Sequence, residues 1–358
     1  MKRKFVQASV AMTLAAASIG CGAKEPTGTS MANGGSIGAA GMAAGGMPFG
    51  SGAAGDSAAT SGGAPSAGTD SGGAHAGATA SGGSSSAGAT AGGMSSAGAT
   101  TGGAATGGAA GVLKSAGCGM TDHPVSGTAT IDVSGTQREY ILELPDGYAA
   151  DTAYKLVFGW HWRGGNASNV ANGQLGGGPY YGLEKLAKGT TIFVAPNGLD
   201  SGWANTGGRD IAFLKAMLAF FNSKLCIDQA RIFSTGFSYG GMMSDAIGCD
   251  MADVFRAIAP MSGALYSGCT RTNTQPVAVW MSHGNNDDVV PLADGKAALD
   301  VFLKKNGCGS QTSAVTPSPC VAYQGCSAGH PVHYCEFDGG HQPPSFAPAA
   351  IWDFFNQF

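Results

Sequence analysis

The residues with the clearest chemical potential are Gly236-Phe237-Ser238-Tyr239-Gly240. Ile232 and Phe233, just before them, are a strand-like apolar pair. Gly241, Met242, Met243 and Ser244, just after, read as the start of a helix. A serine at so sharp a strand-to-helix turn is forced into strained dihedrals. Glycines two residues away on either side keep neighbouring side chains from colliding. The hydroxyl then stands above the sheet, and the Tyr239 backbone N–H is aimed at the place where an oxyanion would form. A bare G-x-S-x-G in a glycine-rich chain can arise by chance. The flanking strand and helix turn it into the expectation of a nucleophile elbow at Ser238.

A serine alcohol is a poor nucleophile at neutral pH, so it needs a histidine to take its proton and a carboxylate to orient that histidine. Downstream, the apolar run Val277–Met281 ends in a loop that carries His283, Asp287, Asp288 and Pro291. A loop after the C-terminal end of a strand is where the acid belongs, and Asp287 is the candidate. Its H-G-x-x-D-x-x-V-P spacing recurs in hydrolases of the elbow-bearing fold. Asp288 competes with it, the plainer reading of Asp288 being a solvated loop charge. An oxygen-rich calcium loop is a further reading, but the spacing is not that of an EF-hand. The base should come last in the chain. His341, in Asp338-Gly-Gly-His341 after the final strand, is that candidate. His283 is assigned to bracing the acid-bearing turn, His333 to packing or the surface, and His330 to a loop; His75 and His123 lie outside the constellation. The second oxyanion donor should follow the first buried strand, which makes it the backbone N–H of Trp162. Trp162 and Trp203 are candidate aromatic walls for a substrate, with core packing as the competing role for each. This chemistry calls for no cofactor, and the absence of any C-x-x-C argues against structural zinc.

These residues must be carried by regular elements. Segments 128–133 and 138–144 alternate in the manner of antiparallel strands, whereas 155–160 and 191–195 are the unbroken apolar runs of buried parallel strands. A crossover helix is expected over 181–187. A longer one is expected over 211–225, with Asp210 as its cap. Strands at 255–259 and 277–281, a helix over 293–305, a strand at 332–337 and a closing helix around 350–355 complete the order. Strand–helix alternation of this kind means a mostly parallel sheet covered on both faces. With the elbow, it points to an α/β-hydrolase fold over residues 114–358.

What precedes that domain is different in kind. Met1-Lys-Arg-Lys4 and the apolar run to Gly20 look like a secretory signal, too short for a comfortable membrane span. Cys21 follows Ser18-Ile19-Gly20, a lipobox with Ser18 where leucine is usual. The expectation is a signal over 1–21, a lipidated Cys21 and an outer-membrane tether; plain secretion is the alternative. Residues 22–113 are nearly all Gly, Ala, Ser and Thr, with a ten-residue period marked by Gly62-Gly63, Gly72-Gly73, Gly82-Gly83, Gly92-Gly93 and Gly102-Gly103. So little apolar surface cannot offset the entropy of ordering a backbone, which predicts a disordered spacer reaching on the order of 50 Å. The net charge of −4 averages over this tract and says little about partners, although no basic cluster suggests nucleic acid. Of nine cysteines, eight lie beyond Cys21, an even number that behind a secretory signal favours disulfides. Cys308, Cys320, Cys326 and Cys335 are expected to staple their own segment, and no further pairing follows from spacing.

From Cys118 to Phe358 the chain resembles the secreted feruloyl esterases of the carbohydrate esterase type, relatives of the extracellular polyhydroxybutyrate depolymerases. The resemblance is carried by Leu156–His161, Phe193–Pro196, Gly202–Asn205, Cys226–Asp228, Arg231–Phe233, Gly236–Ser244 and Phe255–Gly263. It continues through His283–Pro291, Asn306–Cys308, Tyr323–Cys326 and Cys335–His341, and covers none of the spacer. It implies hydrolysis of feruloyl esters on plant cell-wall arabinoxylan, with Ser238, Asp287 and His341 as nucleophile, acid and base. Trp162 departs from the His-Gly of many relatives. Polyhydroxybutyrate depolymerase or acetylxylan esterase activity is the alternative, since a triad does not choose an acyl group. A non-catalytic surface-binding lipoprotein is the reading from another class.

Overall fold

The computed structural model describes residues 112–358, so the signal, Cys21 and all of the spacer except Val112 and Leu113 lie outside the described residues. The strands are β1 (Gly127–Val133), β2 (Thr136–Glu143), β3 (Tyr154–Trp160), β4 (Thr191–Pro196), β5 (Ile227–Phe237), β6 (Ala257–Met261) and β7 (Ala278–Gly284). Three more follow: β8 (Thr312–Ala314), β9 (Cys320–Tyr323) and β10 (Val332–Phe337). They form one sheet in the order β1-β2-β4-β3-β5-β6-β7-β10-β9-β8. The central strands from β4 to β10 run parallel, and antiparallel strands close each end.

The helices are α1 (Ala167–Ala171), α2 (Leu183–Ala187), α3 (Arg209–Lys224), α4 (Tyr239–Asp250), α5 (Leu292–Lys305) and α6 (Ala347–Phe355). Side chains along a strand alternate between faces, so each buried strand feeds two cores. Leu156, Phe158 and Trp160 join α3, α4 and α5 on one face, together with Ile232, Ile258 and Val279. Val157, Phe233, Ala257 and Trp280 point to the other, against α1, α2 and α6, where Phe233 stacks on Phe355 at 4.4 Å. This is the expected α/β-hydrolase architecture, with helices on both faces of a mostly parallel sheet.

Several local expectations change. The crossover helix starts later, at Leu183, after a single 3-10 turn over Pro179–Gly182. Asp210 does not cap α3, whose N-cap is Gly208. Its carboxylate is fully buried and bonds to Arg138 (2.8 Å) and the Asn205 N–H (2.8 Å). A buried charge needs a buried partner, and here the partner lies on β2. The strand expected at 255–259 runs over 257–261 instead, and the segment between Cys308 and Cys335 holds the short hairpin β8–β9, for which no strands were expected. Disulfides Cys308–Cys326 and Cys320–Cys335 staple that segment internally, as expected. Cys118–Cys226 and Cys249–Cys269 are the other pairs. No helix among the described residues is long and apolar enough to cross a membrane.

Candidate active site

The C-terminal ends of β5, β7 and β10 converge, and each delivers one residue. At the end of β5, Ser238 has φ 57° and ψ −119°, in the left-handed range that a residue with a Cβ avoids. The turn is held because the Ser238 N–H donates to the Met261 carbonyl (2.9 Å) while the Ser238 carbonyl accepts from the Met242 N–H (2.9 Å). The flanking glycines are sterically required. A Cβ on Gly236 would stand 2.5 Å from the Gly240 backbone, and one on Gly240 would stand 2.0 Å from the Trp160 carbonyl oxygen. The motif is therefore the means by which the start of α4 packs directly onto the end of β3.

Asp287 lies in the loop after β7, buried, while Asp288 beside it is exposed. Its Oδ1 accepts from the Val289 and Val290 N–H groups (3.0 and 2.8 Å), and its Oδ2 lies 2.7 Å from His341 Nδ1. Burial pushes this carboxyl upward. The His341 hydrogen bond and the two backbone donors outweigh that, and hold it below the usual carboxylate range. An ionised Asp287 only accepts, so Nδ1 carries the imidazole proton and Nε2 is left to accept from the Ser238 hydroxyl, 2.8 Å away. The loops are clamped together: Asn285 and Asn286 N–H groups donate to the Phe337 and Gly339 carbonyls (2.9 and 3.0 Å). A Cβ on Gly284 would stand 2.4 Å from the Gly339 and Gly340 oxygens. His341 also rests on the Phe237 ring, 4.7 Å between centroids.

His283 is fully buried beneath the acid turn, its Nε2 2.9 Å from the Val290 carbonyl oxygen. That is the bracing role expected of it. His333 packs edge-on against Phe354, and His330 and His123 lie in loops away from Ser238.

The two expected oxyanion donors sit at neighbouring element ends. Tyr239 opens α4, so its N–H lies at the positive end of that helix dipole. Trp162 follows β3, and Gly240 brings that strand end against the elbow. Trp162 is half-buried, beside the α1 face of the core. Trp203 takes the core role that competed with the cleft-wall expectation: it is fully buried, edge-on to Trp160 at 4.9 Å. Its indole N–H donates to the His161 carbonyl (2.8 Å), the other half of the peptide unit that carries the Trp162 N–H. A trans peptide points its C=O and N–H in opposite directions, so Trp203 sets the direction of that donor.

His161, which the sequence reading passed over, completes the brace. Its Nε2 accepts from the Gly198 N–H (2.9 Å), which places the proton on Nδ1, and Nδ1–H donates to the Trp162 carbonyl (2.7 Å). Burial holds this imidazole below its ordinary range, against the opposing Trp162 carbonyl bond and Asp210 charge, and so keeps it neutral. The available signal was a histidine directly after an unbroken apolar strand, a place where a polar ring needs partners. Beside Ser238, Met242, Ala264 and Val290 form a small apolar cluster with the Tyr239 ring against it. Among the described residues no group of three or more His, Cys, Asp or Glu side chains could hold a metal ion.

Residues 199–290, which include Ser238 and Asp287, match the model of the prolyl oligopeptidase family. The fold is similar to that of an acetyl xylan esterase from Aspergillus awamori, with a TM-score of 0.50 and 16% identity over 64% of this chain and 99% of that one. Over 252 residues the chain is 45% identical to feruloyl esterase C of Emericella nidulans, covering 67% of this chain and 90% of that protein. It is 39% identical over 268 residues to feruloyl esterase D of Neurospora crassa, covering 70% and 92% of the two chains. Identity at this level, spanning nine-tenths of the relatives' length, shows that the chain belongs to the feruloyl esterase family.

Proposed function

We propose that this protein hydrolyses feruloyl esters of plant cell-wall polysaccharide, with Ser238 as nucleophile, His341 as general base and acid, and Asp287 as the orienting carboxylate. The observation that carries the reading is the unbroken hydrogen-bonded line from Ser238 Oγ through His341 to the buried Asp287. Ser238 Oγ attacks the ester carbonyl while its proton passes to His341 Nε2. The Tyr239 and Trp162 N–H groups receive the oxygen as its charge develops. The tetrahedral species collapses when Nε2 returns the proton to the departing sugar oxygen, leaving a feruloyl ester on Ser238. Water, deprotonated by the same Nε2, then attacks that ester and releases ferulate and free Ser238. Asp287 keeps the proton on Nδ1 in the resting state and stabilises the imidazolium in between.

Turnover of methyl ferulate, p-nitrophenyl acetate and polyhydroxybutyrate film by the full chain tests the acyl preference. Ferulate preference supports the reading; turnover of acetate or polyester alone would transfer the same triad to the alternative substrates. We also propose that the chain is exported, and that residues 22–113 act as a spacer between Cys21 and the catalytic domain. Mass spectrometry of the mature N-terminus decides between a diacylglyceryl Cys21 and an unmodified secreted end.

A further inference from the structure

We propose that the sugar released in the reaction is bound in a cleft of about 590 Å³ between the 173–178 loop and the loop carrying His341. This assignment rests on the esterase reading above. Its walls include Leu175, Gly177 and Phe346 on the apolar side and Asp338, Gln342 and Ser345 on the polar side.

His341 Nε2 must hand its proton to the oxygen that leaves, so the alcohol half of the ester lies on the His341 side of Ser238. The carbonyl oxygen lies instead toward the N–H groups of Tyr239 and Trp162. Gln342 is the residue next to the base, and its amide nitrogen lies 3.4 Å from where a Cβ on Gly339 would stand, over the loop that delivers His341. Asp338 opens the same loop and is tied to the acid loop, its Oδ1 accepting from Asn286 Nδ2 at 3.2 Å. One wall of the cleft is therefore built by the residues that flank His341 on its loop.

The wall also has the chemistry of a sugar site. A pentose presents C–H faces, which pack on apolar surface, and hydroxyls, which need both donors and acceptors. Leu175 and the half-exposed Phe346 offer the first, the latter set edge-on to Phe337 at 6.2 Å between centroids. Exposed Asp338, Gln342 and Ser345 offer the second. A methyl ester has nothing to place there.

The test compares the full-length wild type, Gln342→Ala and Ser345→Trp on methyl ferulate and on ferulate esterified to the primary hydroxyl of arabinose. The quantity read is the ratio of kcat/KM for the two esters, which cancels any general effect on His341. We expect the wild type to favour the arabinose ester. Losing one neutral hydrogen bond in Gln342→Ala should lower the ratio by about three- to tenfold. Filling the cleft from the exposed position 345 should lower it by at least as much. An unchanged ratio in both variants, with both esters still hydrolysed, would overturn the sugar site and leave the esterase reading standing. A wild type that hydrolyses neither ester would remove that reading and the sugar site with it.

Discussion

Replacing Trp203 by Phe tests how the Trp162 N–H, the proposed second oxyanion donor, is aimed. The side chain touches no substrate, because it is fully buried, and its consequence runs through one hydrogen bond of 2.8 Å to the His161 carbonyl. Phenylalanine keeps an aromatic ring against Trp160 and deletes that donor. The orphaned carbonyl costs about 1–3 kcal/mol of stability, with a smaller addition from the lost ring volume. Removing an oxyanion donor outright costs about 10²–10³ in kcat. In Trp203→Phe the Trp162 N–H survives, and the His161 bond to the Trp162 carbonyl still restrains the loop, so the expected loss is about 10- to 100-fold. Because the misaimed donor acts mainly on developing charge, KM should stay within about threefold. The assay is steady-state hydrolysis of methyl ferulate by the folded variant, with thermal unfolding measured in parallel. A kcat within twofold of wild type in a folded protein would refute the peptide-plane argument. A rise in KM alone would refute it too, by placing Trp203 in ground-state binding.

Asp287→Asn removes the charge that fixes the His341 tautomer, and kcat should fall about 10³–10⁴-fold; activity retained within tenfold would return the acid role to Asp288. Asp245 on α4 is fully buried, and neither of its carboxyl oxygens finds a partner among the described residues, so burial holds it well above the usual carboxylate range. Its folded pKa is raised. The unfolded chain therefore loses this proton first, and the stability present below the unfolded value is lost as pH rises toward the folded one. Asp245→Asn should match wild type near pH 3 and exceed it increasingly above pH 4, by at most about 1.4 kcal/mol per pH unit. Urea unfolding across that range checks this, and a constant difference at all pH values would contradict it. Arg138→Met strands the buried Asp210 carboxylate, and should cost about 3–5 kcal/mol in the same unfolding assay; a loss under 1 kcal/mol would mean the pair is not held as seen.

The parts of this molecule that were legible in the sequence are those specified locally. Ser238 could be read because an elbow needs glycines at fixed offsets between a strand and a helix, and the 2.0 Å approach of a Gly240 Cβ to the Trp160 carbonyl shows why. His341 and Asp287 followed from their places after strand ends. The parts that were not legible depend on partners far along the chain. Asp210 read as a cap because acidic residues favour helix starts, but Arg138, 72 residues earlier, takes its charge. Trp203, following a strand end, left a cleft wall and a core role both open, because its partner is a carbonyl 42 residues away. The strands β8 and β9 are three and four residues long, too short for an alternation to register; β9 is placed by pairing with β10 and by the Cys320–Cys335 link, and β8 by pairing with β9. His161 escaped notice for the same reason, since its acceptor nitrogen is satisfied 37 residues on, at Gly198.

The most direct measurement is methyl ferulate hydrolysis by the full chain, produced under oxidising conditions, beside Ser238→Ala. The account predicts turnover by the wild type and a loss of about 10⁴-fold or more in the variant, with a feruloyl adduct trapped on Ser238 when wild-type turnover is quenched in acid. Ester hydrolysis retained by folded Ser238→Ala, or an adduct on any other residue, would contradict it.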